Sequence, residues 1–276
     1  KTELFYKQLL WIAIGIFLAF LIAQIDWRSF INYKGIVWGF YIFSISLLAL
    51  TLVLAPKIRG ARSWIPLGSF QFQPSEFVKI ALIIFLASFF SKRHKSIALV
   101  SNLFYSFVLF LIPAAFVVAQ PDFGSALLIF SIWFGFVLVS GIRYKHLAII
   151  IAAVLIAVVL MWSFVLKDYQ KERIIGLFFP QRDALGINYN VIQSKIAIGS
   201  AGFFGKGFKQ GSQVQLGFLP EAQTDFIFAA IVEEWGLISA ILIFAAFLLM
   251  ILRIIRIGLD ADNNFGKFLC LGTGIL

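Results

Sequence analysis

Residues 216–236 read LGFLPEAQTDFIFAAIVEEWG, and they join a long polar segment to a helix of membrane-spanning length. Asp225 stands at this junction, directly after Thr224, a residue type that caps helix N-termini. A carboxylate where water meets hydrocarbon is partly desolvated, a setting that favours a general base. The alternative is that Asp225 only stabilises the positive end of the helix dipole. This stretch alone leaves both interpretations open.

The composition indicates a membrane protein. Of the 276 residues, 61% are hydrophobic and 33 are phenylalanine, while only 13% are charged. These values exclude an ordinary soluble domain. Lys and Arg outnumber Asp and Glu by 23 to 13, which gives a net charge of +10. In so apolar a chain the charges concentrate in loops, so an anionic lipid or a phosphate is a better-matched partner than nucleic acid.

Seven apolar runs are long enough to cross about 30 Å of hydrocarbon. They cover approximately residues 8–25, 35–54, 75–91, 99–119, 123–142, 147–166 and 225–252. An eighth run begins near Phe265 and reaches Leu276, which is too short to span. We therefore predict an all-α polytopic membrane protein with seven complete spans and a partial eighth, in a single domain over residues 1–276. Since the sequence begins at Lys1 and stops within the eighth run, we expect a fragment truncated at both ends.

Loop charges predict the orientation, because Lys and Arg are enriched in cytoplasmic loops. One side carries Arg28, Lys34, Lys92, Arg93, Lys95, Arg143, Lys145, Arg253, Arg256 and Lys267. The other side carries Lys1, Lys7, Lys57, Arg59 and Arg62. The first side should be cytoplasmic, which places the long connection 167–224 on the outer side of the membrane.

The connection 167–224 is much longer than most loops. Its first part could continue the preceding helix into water. The pattern of residues 188–198 predicts a short helix that is either amphipathic or partly buried. Six glycines then occur from Gly199 to Gly217, interspersed with lysines and phenylalanines. A flexible linker is one interpretation, but the aromatic residues favour a folded lid or a re-entrant loop.

A charged pair opens the third span. Glu76 and Lys79 are three residues apart after Pro74, so they share a helix face. Charges in a membrane helix should face the protein interior or a wet cavity. The pair is either a self-satisfied structural element, or Lys79 supplies positive charge to a phosphate together with Arg62.

Three further acids stand near predicted spans. Asp122 begins the fifth span, where helix capping is the favoured role and cavity lining the alternative. Glu233 and Glu234 follow Asp225 by eight and nine residues, and at least one of them requires an internal partner. The two histidines lack metal-ligand spacing, and no phosphate-binding, dinucleotide or nucleophile-elbow motif is present. The sequence therefore does not indicate an ATP-driven or redox enzyme.

Five motifs occur in order along the chain. They are Gln73-Pro74-Ser75-Glu76-Phe77-x-Lys79, Gln120-Pro121-Asp122-x-Gly124, Ile192-Gln193-Ser194 with Ile196-Ala197-Ile198-Gly199-Ser200, Gly205-Lys206-Gly207, and Leu219-Pro220-Glu221-Ala222-Gln223-Thr224-Asp225-Phe226-Ile227-Phe228-Ala229. They resemble the SEDS family (RodA, FtsW and SpoVE), integral-membrane peptidoglycan glycosyltransferases of bacteria. The segment from Gln210 to Leu219 is more similar to RodA, the elongation member, than to FtsW, the division member.

The resemblance implies a ten-helix fold with both termini in the cytoplasm and a large outer loop between the seventh and eighth helices. By that comparison this chain lacks the first helix and ends within the ninth. The implied reaction is polymerisation of lipid II at the outer face of the bacterial cytoplasmic membrane, for elongation and cell shape. Asp225 matches the essential acid of the family and would be the general base.

The other site residues are our own candidates for this reaction. Arg62 and Lys79, with Lys206 a weaker candidate, would stabilise the departing undecaprenyl diphosphate, and Glu76 would orient Lys79. Further candidates that would line the cavity are Asp122, Gln193, Ser194, Glu221 and Glu233. A divalent cation, Mg²⁺ or Mn²⁺, could shield the diphosphate, but the sequence shows no dedicated ligand set.

The resemblance also implies a partner protein, and two other functions compete with the enzymatic one. SEDS proteins work with a class B penicillin-binding protein, a transpeptidase, and act within the lipid membrane without nucleic acid. The competing hypotheses are a lipid flippase or carrier that uses the buried charges as its pathway, and a scaffold that only recruits the transpeptidase. Polar groups at one depth on the outer side favour the enzyme, because a flippase should show them through the whole membrane thickness.

Overall fold

The computed structural model describes residues 2–24, 33–56, 62–68, 70–93, 100–183, 186 and 188–276, without the side chains of 2–4, 67, 70 and 177. The chain forms two compact units, Lys1–Gly141 with Gly258–Leu276, and Ile142–Ile257. The single domain over 1–276 stays a prediction. Some residues that were used to predict the membrane orientation, or that were considered as metal ligands, lie outside the described ranges. They are Lys1, Arg28, Lys57, Arg59, His94 and Lys95.

The first unit is a helical bundle with one small hairpin. Its elements are α1 (Thr2–Gln24), α2 (Lys34–Leu54), β1 (Ile65–Leu67), β2 (Phe70–Phe72), α3 (Pro74–Lys92), α4 (Val100–Ala119), α5 (Phe123–Val139) and α11 (Asn264–Ile275). The strands are antiparallel, with Ile65 opposite Phe72. This hairpin was not expected, because each strand has only three residues and lies within a polar segment.

The second unit contains the long connection and the last complete span. Its elements are α6 (Tyr144–Leu160) with a π-helical turn (Met161–Val165), α7 (Asp168–Phe178), a 3₁₀ turn (Pro180–Asp183), α8 (Tyr189–Gly199), α9 (Ser212–Gln215) and α10 (Ile227–Asp260). The predicted amphipathic helix at 188–198 is confirmed as α8. The sixth span does not continue into water, because Leu166 and Lys167 are extended and α7 begins separately.

The all-helical membrane fold class is confirmed. Six helices of the described chain are long and apolar enough to cross a membrane: Phe5–Gln24, Lys34–Leu54, Pro74–Lys92, Val100–Ala119, Tyr144–Val165 and Ile227–Asp260. The predicted span at 123–142 is a shorter apolar helix, Phe123–Val139. The run after Phe265 forms the 12-residue helix α11.

Helix α3 is the core of the first unit. Leu82, Leu86 and Phe90 are fully buried and four residues apart, so they lie on one face of the helix. The Phe90 ring lies 5.7 Å from Phe136 of α5 and 5.9 Å from Phe268 of α11, centroid to centroid. The Phe90 and Phe136 rings are stacked and the Phe268 ring is tilted against Phe90, so α3, α5 and α11 pack against one another.

Helix α4 contains a proline, and a side chain of α2 donates a hydrogen bond to the carbonyl that this proline leaves unpaired. Pro113 lacks an N–H, so the Leu109 carbonyl one turn earlier has no intrahelical donor. The hydroxyl of Tyr41, which is buried, donates a hydrogen bond to this Leu109 carbonyl. An unsatisfied carbonyl is costly in hydrocarbon, so this contact stabilises the pairing of α2 with α4.

We expect Tyr41→Phe to destabilise the protein by about 1–3 kcal/mol, since it leaves the Leu109 carbonyl unpaired. In a Pro113→Ala background the same substitution should cost much less, because the new alanine supplies the missing N–H. Thermal unfolding midpoints of the four proteins in detergent measure this coupling. Equal losses in both backgrounds would contradict the assignment.

Candidate functional site

Asp225 lies in an exposed turn that ends where α10 begins. The turn closes on Glu221, whose carbonyl accepts hydrogen bonds from the Phe226 N–H at 3.2 Å and the Thr224 hydroxyl at 3.3 Å. Thr224 therefore does not cap the helix as expected, since α10 begins only at Ile227. Within the described part of the chain, the Asp225 carboxylate makes no hydrogen bond or ion pair, so it remains open to a substrate.

A small apolar cluster holds the residues beside Asp225. Ala197 of α8, Leu219 and Ala229 of α10 are buried together. Val214, Ala222 and Phe226 pack against them. Because Phe226 follows Asp225 directly, the position of the carboxylate depends on this packing.

Glu233 is fully buried and is the centre of a polar cluster that we call the Glu233 joint, formed with Lys206, Ser212, Gln213 and Val214. Its carboxylate lies 2.8 Å from the Lys206 ammonium. It also accepts hydrogen bonds from the backbone N–H groups of Gln213 at 2.9 Å and Val214 at 3.3 Å, and from the Ser212 hydroxyl at 3.3 Å. The internal partner predicted for Glu233 or Glu234 is confirmed.

Helix α10 is broken at Gly236, whose φ of 77° and ψ of −174° are not helical. The glycine-rich segment inserts its backbone there. The N–H groups of Lys206 and Gly207 donate to the carbonyls of Glu233 and Glu234 at 2.9 and 3.0 Å. The N–H groups of Leu237 and Ile238 donate to the carbonyls of Gly202 and Phe203 at 3.0 and 3.3 Å. We call this arrangement the Gly236 break. It shows a folded segment packed on the helix, and it excludes a flexible linker here.

In the first unit, Asp122 caps α5, as predicted. Its carboxylate accepts hydrogen bonds from the Ser125 N–H at 3.1 Å and the Ser125 hydroxyl at 2.8 Å. It also accepts one from the Gln73 amide at 3.1 Å, which links the starts of α3 and α5. A lining role for Asp122 stays a prediction.

The three side chains predicted to bind phosphate differ in how many of their donors already bond to other residues. The Lys79 ammonium lies 2.8 Å from both Glu76 oxygens, and the side chains are 5% and 58% exposed respectively. Lys206 is engaged in the Glu233 joint and is 26% exposed. Arg62 is exposed and donates from one guanidinium nitrogen to the Leu52 carbonyl at 3.2 Å. Of these three cations, Arg62 therefore has the most donors that are open to a ligand.

Glu76→Gln is expected to destabilise the protein more than Lys79→Met. Glu76→Gln keeps a neutral oxygen acceptor but removes the negative charge that compensates the buried Lys79 ammonium, which costs about 1–3 kcal/mol. Loss of Lys79 leaves Glu76 in contact with solvent, at a much smaller cost. Thermal unfolding midpoints in detergent should fall in the order wild type, Lys79→Met, Glu76→Gln, and the reverse order of the two variants would contradict this account.

The remaining predicted residues lie in the second unit, on α8 and in the Asp225 turn. Gln193 and Ser194 are half-buried on α8, and the Ser194 hydroxyl donates to the Val191 carbonyl at 2.9 Å. Glu221 is exposed, and its carboxylate accepts from the Thr224 hydroxyl at 3.1 Å. Their roles in lining a cavity stay predictions.

Sequence reasoning missed two polar residues. Ser212 bridges Lys206 and Glu233. Its position in the glycine-rich segment does not indicate this contact in the sequence. Gln120 is buried, and its amide donates to the Leu48 carbonyl at 3.0 Å. Its place in the Gln120-Pro121-Asp122 motif could have indicated this. Among the described residues, no three His, Cys, Asp or Glu side chains form a group that could hold a metal ion.

The whole chain is similar to one family of known proteins. The FtsW, RodA and SpoVE model, described as "Cell cycle protein", matches residues 1–276. This chain belongs to that family. The peptidoglycan glycosyltransferase MrdB of Escherichia coli K12 is 37% identical over 96% of this chain and 70% of its own length. The probable peptidoglycan glycosyltransferase FtsW of Trichlorobacter lovleyi is 36% identical over 98% of this chain and 70% of its own length.

A solved structure supports the same conclusion for the fold. It is described as "Structural coordination of polymerization and crosslinking by a peptidoglycan synthase complex". The similar chain is 32% identical, has a TM-score of 0.78, and is matched over 98% of this chain and 74% of its own length. The chain is therefore a multi-pass membrane protein of the FtsW, RodA and SpoVE family of peptidoglycan glycosyltransferases.

Proposed function

We propose that the protein polymerises lipid II into glycan strands at the outer face of the bacterial cytoplasmic membrane. The observation that carries the proposal is Asp225, an exposed carboxylate without a hydrogen-bond partner in the described chain, on a turn fixed by packing and by backbone hydrogen bonds. An acid held in place but not engaged is suited to accept a proton from a substrate.

In the proposed reaction, the 4-hydroxyl oxygen of the acceptor GlcNAc attacks the anomeric carbon of the donor MurNAc. Asp225 accepts the hydroxyl proton as the new C–O bond forms. The bond from the anomeric carbon to the diphosphate breaks, and undecaprenyl diphosphate departs with that electron pair. One displacement inverts the α-linked donor to a β-linked product, so a single base is sufficient and no covalent intermediate is needed.

Positive charge should stabilise the departing diphosphate. We propose Arg62 for this role first, because it is exposed and most of its donors are open. Lys79 and Lys206 rank lower, since each ammonium already lies 2.8 Å from a carboxylate. A divalent cation bound with the diphosphate would add Lewis-acid charge, and no step of the proposed reaction depends on it.

The role in elongation and the partner are also proposals. The RodA-like segment from Gln210 to Leu219 and the similarity to MrdB favour cell elongation. The similarity to a chain of a peptidoglycan synthase complex favours a class B penicillin-binding protein as the partner. Complementation of bacteria depleted of their own elongation or division member would test this assignment, and rescue of division alone would contradict it.

The enzymatic proposal is tested with the full-length protein in vesicles that contain lipid II. Glycan polymer is followed on a gel, and movement of lipid II across the bilayer is followed by its accessibility from outside. We expect polymer without accelerated lipid movement. Accelerated movement without polymer would favour a flippase, and neither activity, with the cognate transpeptidase present, would favour a scaffold.

A further inference from the structure

We infer that Glu233 and Lys206 are positioning residues for Asp225, acting through the glycine-rich segment 199–217. This inference rests on the catalytic role proposed for Asp225. The contacts themselves all lie within the second unit.

The Glu233 joint fixes α9 to the broken helix. Both oxygens of the carboxylate are used: Oε1 accepts from Lys206, Ser212 and the Gln213 N–H, and Oε2 accepts from the Val214 N–H. Lys206 also donates to the Ser212 hydroxyl at 2.8 Å. Ionised acceptors make the stronger class of hydrogen bond. The carboxylate therefore fixes residues that lie 27, 21, 20 and 19 positions earlier in the chain.

The segment is in close contact with α10 at two of its glycines. A Cβ at Gly211 would lie 2.6 Å from Glu233 Oε2. A Cβ at Gly205 would overlap the backbone of Glu234 and Gly236. The backbone hydrogen bonds of the Gly236 break add four further constraints between the segment and α10.

Side-chain packing links the Glu233 joint to the turn that contains Asp225. Val214, whose N–H is bonded to Glu233, packs against the cluster of Ala197, Leu219 and Ala229. Phe226 packs against the same cluster, and it adjoins Asp225. Since the Asp225 carboxylate has no hydrogen bond of its own in the described chain, its position depends on this packing and on the backbone hydrogen bonds of the turn. A shift of about 1 Å at a reacting group can lower a rate by about 100-fold.

Glu233→Gln keeps the shape of the side chain but removes its charge. The Gln amide turns an N–H₂ group towards donors, and Lys206 loses its counter-ion. Lys206→Met leaves the buried Glu233 carboxylate without its counter-ion but keeps both backbone N–H bonds from α9 to Glu233, so we expect a smaller displacement of the segment. Glu234→Gln is the matched control, since the Glu234 side chain makes no hydrogen bond or ion pair with the described residues.

The position of residue 225 is measured directly by pulsed electron–electron double resonance. Full-length protein with the Cys270→Ala substitution carries spin labels at Asp225→Cys and Leu242→Cys, two exposed positions on either side of the joint. We expect a narrow distance distribution in the parent and with Glu234→Gln. It should broaden with Glu233→Gln and, less strongly, with Lys206→Met. An unchanged distribution in folded Glu233→Gln and Lys206→Met proteins would overturn the inference.

Activity is measured on the unlabelled variants. We expect Glu233→Gln to lower kcat for lipid II polymerisation by about 100-fold, and Lys206→Met by about 10-fold, with folded protein verified by gel filtration. Broadening together with no polymerisation by the wild-type protein would contradict the proposed function but leave the mechanical coupling intact. Broadening with unchanged kcat in the unlabelled variants of an active wild-type protein would overturn the positioning role.

Discussion

Asp225→Asn is expected to reduce lipid II polymerisation by about 10²–10⁴-fold, the range that a general base contributes. The substitution is nearly isosteric, and the carboxylate makes no hydrogen bond with the described residues, so folding should be unaffected. The amide cannot accept the acceptor hydroxyl proton. Initial rates of polymer formation by the full-length protein, normalised to folded protein, measure the effect.

The control for Asp225→Asn is Glu234→Gln, which removes another acid of the same helix region without touching the turn. It should retain activity within a few-fold of wild type and unfold at the same temperature. If Asp225→Asn retains wild-type polymerisation, Asp225 returns to a role at the helix dipole and the mechanism proposed here is wrong.

Gly205→Ala is expected to prevent the second unit from folding. Gly205 has a φ of +77°, and an added Cβ would overlap the Glu234 carbonyl and the Gly236 nitrogen, both backbone atoms that cannot move aside. Gly217 has a nearly equal φ of +75°, but nothing lies within 4 Å of its added Cβ. Gly217→Ala therefore isolates the cost of the backbone conformation, about 1–2 kcal/mol.

Yield from the membrane, gel-filtration profile and thermal unfolding midpoint distinguish the two glycine variants. Gly217→Ala should give folded protein with a slightly lower midpoint, and Gly205→Ala should give little or none. Similar behaviour of the two proteins would show that the segment is not fixed against Gly236 as the structure has it.

The membrane spans could be predicted from the sequence because length and hydropathy alone determine them. Hydrocarbon permits few backbone conformations other than helix, so an apolar run of about 20 residues is enough to locate each span. The span at 123–142 was predicted too long at its C-terminal end, where Ser140 and Gly141 form a turn.

The Gly236 break could not be predicted, because the apolar pattern continues across it. Residues 225–252 are predicted as one span, and a single glycine within a helical pattern is usually tolerated. The break exists because the backbone of residues 202–207 satisfies the carbonyls and N–H groups that it frees. Contacts between segments separated by about 30 residues leave no local signature in the sequence.

The candidate site was predictable only where its interactions are local. Helix periodicity placed Glu76 beside Lys79, and the turn of helix after Asp122 placed its capping partner Ser125. Lys206 was predicted as a cation for phosphate, whereas the structure pairs it with Glu233. The sequence required a partner for a glutamate at this depth but could not identify which of several lysines it would be.

Transfer of a glycosyl group from one lipid II molecule to another releases one undecaprenyl diphosphate for each glycan bond that forms. The most direct measurement counts, in one reaction of the full-length protein with lipid II, the undecaprenyl diphosphate released and the β-linked glycan bonds formed. We predict equal amounts of the two, with both lost together in Asp225→Asn. Release of undecaprenyl diphosphate without new glycan bonds, or recovery of unchanged lipid II, would contradict the account.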